Sequence, residues 1–598
     1  MKLASRPLVI LLLSLVALGV AKPADAADTT WTPVVNGDFY NAGNWDTNAF
    51  PTGADNVLIL NPAVTASINF SGSRELGSFH LGTTGATGGN VDFSGGEIVV
   101  HAIFDRSHIG DKGSLDSRFV MRGNAVMLFD GPLSGGGVGS PGGNQDLEIG
   151  AQTGATGNLG LLELHDNAIL RVSDDLKVGA EANGNGEVRI DGNARITVGS
   201  GISLSEANPS KGKMTVGGTA LVVSGNSAGA GNTAQGNTDE GYFTLSVNSG
   251  STADLLVKDS GKIYARTLQQ RVGVSNMTIQ DNGEFHVFDT FNFAAPQLGV
   301  ATIVGDPFGP QRATHVGQSA GTQFNLLITG NGKMSIDSAL DAGGGQTLQG
   351  LAMAGGDNRG NVTSSGGAAK IELREHASFV VQQNLHMTVA TGDVDASSTL
   401  RVVGPNVNAR VNGNLYMSYD PFSLAANPDE STLNAVITGS THSTIQVGGE
   451  AKIEFGKLAV ELSGYSPLGG ETYTLLTAAS IGGASFASTD FALAPLAPGL
   501  SWDLNVGATS VVLKVLGSVP FAGDFDLDQD VDGADFLVWQ RGGSPNPLST
   551  GDLSAWRANF GAPAVGAVHA VPEPGSILLA GIALGLVAAR GRWPFAAR

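Results

Sequence analysis

The 598-residue sequence has no cysteine, which excludes a disulfide framework, a thiolate zinc site and a cysteine nucleophile. Aromatic residues make up only 6% of the chain and charged residues only 15%. The formal net charge is −21, and no cluster of Lys and Arg lies in the long central region. Because phosphate binding requires a basic face, this composition argues against a nucleic-acid partner.

Glycine, in contrast, is abundant: 86 of the 598 residues are glycine, about twice the usual share of roughly 7%. Apolar residues reach 41% and the mean hydropathy is +0.07, which is enough for a packed core and is unlike a disordered chain. Together with alternating Val, Ile and Leu, the glycines predict short strands joined by tight turns.

The first 26 residues have the pattern of a secretory signal peptide. Lys2 and Arg6 supply a positive start, residues 8–20 form an apolar run, and Ala24-Asp25-Ala26 is a small-x-small cleavage site. We therefore expect residues 1–26 to be removed and the protein to be exported. The alternative is a transmembrane anchor, for which the apolar run is short, since a span needs about 20 residues.

Internal repeats occupy the middle of the chain. Three similar segments begin at Leu147, Leu176 and Ile202, and each contains a short strand, a loop, a second strand, a tight turn and a third strand. A turn triplet of Gly or Asp, Asn, and Ala or Gly recurs more widely. Its third residue falls at Ala125, Ala168, Ala194, Ala220, Gly261, Gly283, Gly332, Ala377 and Ser443. Several steps are about double the repeat, which indicates degenerate or inserted coils.

Such units cannot bury an apolar edge alone, but stacked units share a continuous core. The sequence therefore predicts a mainly β protein with a parallel β-helix, or solenoid, over residues 72–449. An array of antiparallel sandwiches is the alternative. The repeats resemble the passenger β-helix of autotransporters and the autotransporter-associated strand repeats of bacterial surface proteins. That resemblance implies an adhesin, a stalk or a polysaccharide lyase, and the fold does not choose among them.

Two segments flank the repeats. Residues 27–71, with Trp45, are expected to form an N-terminal cap over the open end of the solenoid; stacking of Trp45 on a sugar is the alternative. Residues 450–516 have longer alternating strands without the turn triplet, and we expect a small antiparallel β cap there. Residues 517–522 are interpreted as a linker.

An acidic ladder follows this linker. Six aspartates alternate with other residues, and they are Asp524, Asp526, Asp528, Asp530, Asp532 and Asp535. They match positions 1, 3, 5, 7, 9 and 12 of an EF-hand loop, whose oxygens hold Ca²⁺. Gln529 stands at position 6, where glycine is usual. A register starting at Asp528 would place Trp539 at position 12, and tryptophan cannot supply the carboxylate.

Residues 523–562 resemble a type I dockerin. On that resemblance the six aspartates are the calcium ligands, a small α-helical module follows, and a cohesin-like protein is a possible partner. The segment from Asp552 to Gly561 matches only the end of a second loop and its helix, and residues 542–551 lack an acidic ladder. The resemblance therefore implies one calcium ion. The alternative is an acidic, solvated linker.

The last 28 residues resemble the PEP-CTERM sorting signal. After a linker at residues 563–570, the chain has Pro572-Glu573-Pro574, an apolar stretch at residues 576–589, and then Arg590 and Arg592. The resemblance implies that residues 571–598 contain a hydrophobic, transmembrane helix, that an exosortase-type machinery recognises the tail, and that the protein reaches the cell surface or the extracellular space. A plain short anchor is the alternative.

No catalytic motif or cofactor site other than the calcium loop is recognisable. The densest set of reactive side chains comprises His101, Asp105, Arg106, His108, Asp111, Lys112, Asp116 and Arg118. We interpret it as a polar loop; a calcium-dependent lyase would use the same residue types. We therefore expect a non-enzymatic, exported scaffold or adhesin, with a protein that binds or cleaves extracellular polysaccharide as the alternative.

Overall fold

The protein is described here by a computed structural model. It describes residues 27–53, 55–85, 87–101, 106–113, 115–129, 146–151, 158–225, 242–288, 314–337, 350–355, 366–389, 396–419, 430–482, 486, 491–517, 521–528 and 530–562. The expected signal peptide, the linker at residues 563–570 and the sorting tail lie outside these residues, as does Asp105.

Strands that pair in parallel, coil upon coil, build a mainly β fold with three long sheets. The first sheet has fifteen strands, most of them three or four residues long. In order they are Ala27–Thr30, Asp55–Ile59, Ser78–Leu81, Ser107–Ile109, Leu147–Ile149, Leu176–Val178, Ile202–Leu204, Tyr242–Leu245, Thr267–Gln270, Thr314–Val316, Leu351–Met353, Leu385–Met387, Leu415–Met417, Glu450–Lys452 and Ser480–Gly482.

The second sheet is also parallel throughout. Its strands, in order, are Gly37–Asp38, Thr65–Leu76, Asn90–Val100, Ser117–Met121, Gly160–Leu164, Asn185–Ile190, Lys211–Val216, Thr252–Val257, Val274–Ile279, Gln323–Ile328, Ala368–Arg374, Ser397–Val403, Glu430–Ile437, Lys457–Leu462 and Phe491–Leu493.

The third sheet starts from the C-terminal halves of Thr65–Leu76 and Asn90–Val100, two long strands that serve both sheets. It continues with Val126–Phe129, Ile169–Val172, Arg195–Val198, Leu221–Ser224, Lys262–Ala265, Glu284–Phe288, Lys333–Asp337, Ser378–Val381, Asn408–Val411, Ile445–Val447 and Thr472–Thr477. One strand of each coil thus enters each sheet, and the fold is a parallel β-solenoid.

The register of the coils confirms the repeat alignment made from the sequence. Leu147 pairs with Leu176, and Leu176 pairs with Ile202. Side chains alternate along the longer strands: in Lys211–Val216, Met214 and Val216 are buried while both lysines are exposed. Since successive side chains of a strand point to opposite faces, stacked coils line up their apolar residues as one continuous core.

The turn triplet marks the corner before the third sheet. Eight of the nine triplets end one residue before a strand of this sheet, as Ala168 does before Ile169–Val172. The residue two positions earlier has a left-handed backbone, with φ of 58° at Asp166 and 64° at Gly192. The long steps between triplets are explained by insertions, because Val126 pairs directly with Ile169 in the next coil.

The ends of the solenoid differ from the expected boundaries. Ala27–Thr30 and Asp55–Ile59 already pair in parallel, so the segment expected to be a cap also supplies strands. Within it, Trp45 is only 1% exposed and its indole N–H donates to the carbonyl of Phe39 at 2.8 Å. Trp45 is therefore part of the core and has no free ring face for a sugar.

At the C-terminal end, parallel pairing continues past residue 449 through Lys457–Leu462 to Phe491–Leu493. Antiparallel pairing also occurs at this end, where the N–H groups of Ala478 and Ile481 donate to the carbonyls of Thr509 and Ala508. The remaining strands are Leu500–Val506, Ser510–Gly517 and the two-stranded pair of Thr84–Gly85 and Lys112–Gly113.

The contacts within the chain place the acidic ladder and two helices in a second unit, which includes the described residues from Lys514 onward. The helices are Gly533–Gln540 and Thr550–Asn559, and a short 3₁₀ turn lies at Ala42–Asn44 in the solenoid. Neither helix has the length and apolar character that a membrane crossing requires, and no other helix of that kind occurs in the described part of the chain.

Candidate metal sites and the polar ladder

The acidic loop is closed by its last carboxylate, Asp535. One oxygen of Asp535 accepts hydrogen bonds from the backbone N–H groups of Phe525 and Asp526, and the other accepts from the N–H of Asp532 at 2.8 Å. Asp532 in turn caps the helix Gly533–Gln540, its side chain accepting from the N–H of Ala534 at 2.6 Å. These hydrogen bonds bring the start and the end of the acidic loop together, and Asp535 is fully buried.

The loop gathers the six predicted ligands into two groups of three. Carboxylate oxygens of Asp524, Asp526 and Asp528 lie within 4.8 Å of one another, and so do those of the other three aspartates, Asp530, Asp532 and Asp535. All six predicted residues thus belong to a compact acidic cluster, although they form two subsets rather than one shell.

Like charges raise the pKa of carboxyl groups in this cluster. Loss of hydration, followed by the charges of Asp535 and Asp528, raises the pKa of Asp526. Loss of hydration and four neighbouring aspartates raise the pKa of Asp530 in the same way. Oδ1 of Asp530 is buried and accepts no hydrogen bond from the described residues. A cation would neutralise this repulsion, and oxygens of this kind are the ligands that Ca²⁺ takes.

The second helix has no comparable loop. The two oxygens of Asp552 accept from the backbone and side-chain amide of Asn546, at 2.8 and 3.2 Å, and those bonds lower the pKa of Asp552. Among the residues that the structure describes, Asp552 belongs to no group of three potential ligands. The helix packs instead through Trp556, whose ring lies 4.8 Å from that of Phe536 and whose N–H donates to the carbonyl of Asp532 at 2.6 Å.

The reactive set between His101 and Arg118 is not one loop, because three of its described members lie on strands of different sheets. His108 is on Ser107–Ile109 of the first sheet and Arg118 on Ser117–Met121 of the second. Both arginines contact a carboxylate of another coil: Arg106 contacts Glu148 and Arg118 contacts Glu163, both at 2.5 Å.

A buried row of polar side chains, the polar ladder, runs along the first sheet and was not predicted from the sequence. Side chains at the outward-facing middle position of the strands stack from coil to coil in the paired register. They are His80, His108, Glu148, Lys177, Ser203, Thr244, Gln269 and His315. All except Lys177 are less than 10% exposed. Strands of three residues, separated by loops of unequal length, give no periodic signal that would reveal such a ladder.

Charged side chains are concentrated around Glu148 of this ladder. Arg106 Nη1 lies 2.5 Å from Glu148 Oε1, and Lys177 Nζ lies 2.9 Å from Asp146 Oδ2. Burial alone would raise the pKa of Glu148, but contact with His108 and the charges of Arg106 and Lys177 lower it. Nearby, burial and then the charge of Asp146 raise the pKa of Asp175 to about 7.

Ion-pair ladders also run along the outer face of the solenoid. Glu284 lies 3.0 Å from Lys262 and 3.1 Å from Lys333, one coil before and one coil after it. Glu187 and Glu372 are surrounded by two and three basic groups in a similar way. These carboxylates join neighbouring coils, and their charges are matched by the strands next to them.

A comparison with protein-family models and with curated proteins found no match for this chain.

Proposed function

We propose that the protein is a non-enzymatic, exported scaffold or adhesin of the cell surface or extracellular matrix. The observation that carries the proposal is the continuous pairing of fifteen strands in the first sheet. A stack of this kind grows by repetition and presents long faces, which suits a stalk or an adhesive surface. The amino-terminal signal pattern and the PEP-CTERM-like tail support export and sorting by an exosortase-type machinery.

The state of the outer carboxylates supports a structural role over a catalytic one. General acid or base catalysis needs a group that is free to exchange a proton with a substrate. Glu163, Glu187, Glu284 and Glu372 are each held by Lys or Arg of the same or adjacent coils. Their proposed role is to hold coils together, and the lyase-like alternative would need acids outside these ladders.

The second unit is proposed to be a calcium module of dockerin type. Asp524, Asp526, Asp528, Asp530, Asp532 and Asp535 would hold the ion, which neutralises their mutual repulsion and fixes the loop. The two clusters of three, together with the buried Oδ1 of Asp530, fit a hard cation with many oxygen ligands. A cohesin-like protein would then be a partner of the module, and an extracellular polysaccharide a partner of the solenoid.

Retention on immobilised polysaccharides tests the adhesive role. The chain from Ala27 to Ala570 is passed, with and without Ca²⁺, over a panel of neutral and uronate polysaccharides. Retention on at least one polysaccharide supports an adhesin. A chain that binds none of them contradicts an adhesive role and leaves the structural stalk.

A further inference from the structure

A chain of hydrogen bonds fixes the protonation of His80 from one side. Asn56 Nδ2 donates to Asp28 Oδ1 at 3.2 Å, so Asn56 turns its Oδ1 toward the Ser78 hydroxyl. Ser78 uses its only hydrogen to donate to that oxygen at 2.7 Å. Its Oγ must therefore accept from Nε2 of His80, which lies 2.8 Å away. In a neutral His80 the ring hydrogen is then on Nε2, and Nδ1 carries no hydrogen of its own.

The protonation of His108 is fixed from the other side. Its Nε2 lies 3.2 Å from Oε2 of Glu148, whose other oxygen contacts the guanidinium of Arg106. Two acceptors would repel each other at that distance, so the hydrogen of a neutral His108 is on Nε2. Nδ1 of His108 then also carries no hydrogen of its own.

The two Nδ1 atoms face each other at 3.2 Å. Both histidines are buried, at 5% and 9% exposure, so facing lone pairs would be strongly unfavourable there. A metal ion, or one additional proton, between the two nitrogens would remove this repulsion.

We infer that His80, His108 and Asp111 form a binding site for a divalent transition-metal ion of the zinc type. One ligand atom from each of the three residues lies within 4.8 Å of the others. Two nitrogens bound tetrahedrally to Zn²⁺ at about 2.05 Å would be about 3.3 Å apart, close to the observed 3.2 Å. Two imidazoles and a carboxylate are a ligand set that zinc and similar metals accept.

The residues around the two histidines are placed like the outer ligand shell of a metal site. Metal-binding histidines usually donate the second ring N–H to a carboxylate or another oxygen, which orients the ring. Ser78 occupies this position for His80, and Oε2 of Glu148 lies 3.2 Å from Nε2 of His108. The backbone brings Asp111 to the pair through Gly110, which has a φ of 75°, and the N–H of Asp111 donates to the carbonyl of Gly82 at 3.1 Å.

The test uses the full chain with the acidic loop saturated by Ca²⁺, so that Zn²⁺ does not report on the aspartate ladder. The chain is first stripped with a chelator, the chelator is removed and Ca²⁺ is added back. It is then titrated with Zn²⁺ against a chromophoric competitor, and a separate sample is loaded with Co²⁺. We expect one tightly bound equivalent of Zn²⁺ and a visible d–d absorption of Co²⁺ without thiolate charge-transfer bands.

Matched variants locate the site. His108→Ala and Asp111→Asn should remove the bound equivalent, whereas His165→Ala should retain it, although His165 also contacts a carboxylate, Asp191, at 2.8 Å. Ser78→Ala leaves every proposed ligand in place and should weaken Zn²⁺ binding by about 10-fold or more. If His108→Ala does not fold, Asp111→Asn and Ser78→Ala decide the question.

Two results would overturn the proposal. If the wild-type chain binds no stoichiometric Zn²⁺ or Co²⁺, a shared proton and not a metal joins the two rings. If the equivalent persists in both His108→Ala and Asp111→Asn, the metal binds elsewhere.

Discussion

Asp532 and Asp535 form a capping box at the start of the helix Gly533–Gln540. The backbone N–H of Asp532 donates to Oδ2 of Asp535 at 2.8 Å, and Asp532 itself caps the helix. The same carboxylate that the sequence analysis assigns to the last ligand position thus also closes the loop. Calcium binding and the folding of this helix should therefore be coupled.

Removal of one carboxylate from the ladder should weaken calcium binding. We expect Asp528→Asn to lower the affinity for Ca²⁺ at least about 10-fold, because the ion loses a charged ligand while the side-chain shape is kept. Isothermal titration calorimetry measures the change. Asp503→Asn, at an exposed carboxylate on Leu500–Val506, is the matched control and should bind like the wild type. Equal affinities of both variants would exclude the loop as the calcium site.

Asp535→Ala should affect stability as well as affinity. The substitution removes the acceptor of three backbone N–H groups and one half of the capping box, and loss of a cap alone costs about 1 kcal/mol. The helical signal of the second unit should melt earlier even without Ca²⁺, as circular dichroism would show. Asp528→Asn, which leaves the cap intact, should not melt earlier under the same calcium-free conditions.

The ion-pair ladder around Glu284 predicts a loss of stability in acid. Burial opposes its ionisation, but contacts with His286, Lys262 and Lys333 lower the pKa of Glu284 from its ordinary 4.5 to about 2. A lowered carboxyl pKa stabilises the folded state fully above the unfolded pKa. That stabilisation is lost as the pH falls from about 4.5 toward about 2.

Glu284→Gln should therefore be less stable than the wild type at neutral pH and should lose less stability on acidification through this window. Denaturant unfolding at a series of pH values measures both effects. Glu181→Gln, at a half-exposed turn residue outside these ladders, is the control and should follow the wild-type profile. Parallel pH profiles for Glu284→Gln and the wild type would contradict the role of this ladder.

The corner at Gly192 should not accept a side chain. Its φ is 64°, and a Cβ atom there would lie 2.8 Å from the backbone nitrogen of Asp166 in the preceding coil. Gly192→Ala should therefore destabilise the solenoid beyond the roughly 1–2 kcal/mol that a left-handed backbone costs alone. Gly464→Ala isolates that backbone cost, since Gly464 has a φ of 67° and open space around it. Equal melting shifts for the two variants would argue against close packing between the coils at this corner.

The repeated corners could be predicted because their stereochemistry is local. Each corner needs a residue with a left-handed backbone, then a polar residue, and then a small buried residue. This order is present in Asp166-Asn167-Ala168 and in Gly192-Asn193-Ala194. The register from Leu147 to Ile202 followed from the same pattern. The clustering of the six aspartates could also be predicted, since they lie within one short segment.

Contacts made across coils were harder to predict. His80, His108 and Glu148 are adjacent in the first sheet, but 28 and then 40 residues separate them in sequence. Insertions of unequal length between the coils destroy the period that would align them. The end of the solenoid was placed too early for a similar reason, because Lys457–Leu462 lacks the turn triplet and still pairs in parallel with Glu430–Ile437.

The most direct test of the non-enzymatic role is the length of polysaccharide chains after incubation with the calcium-loaded protein. Size-exclusion chromatography of uronate and neutral polysaccharides, before and after incubation, measures it. The proposed scaffold predicts that chain lengths stay unchanged for every polysaccharide, including any that the protein retains. Shortening that disappears in Arg118→Gln, but not in a control such as Asp503→Asn, would contradict this account and identify a polysaccharide-cleaving enzyme.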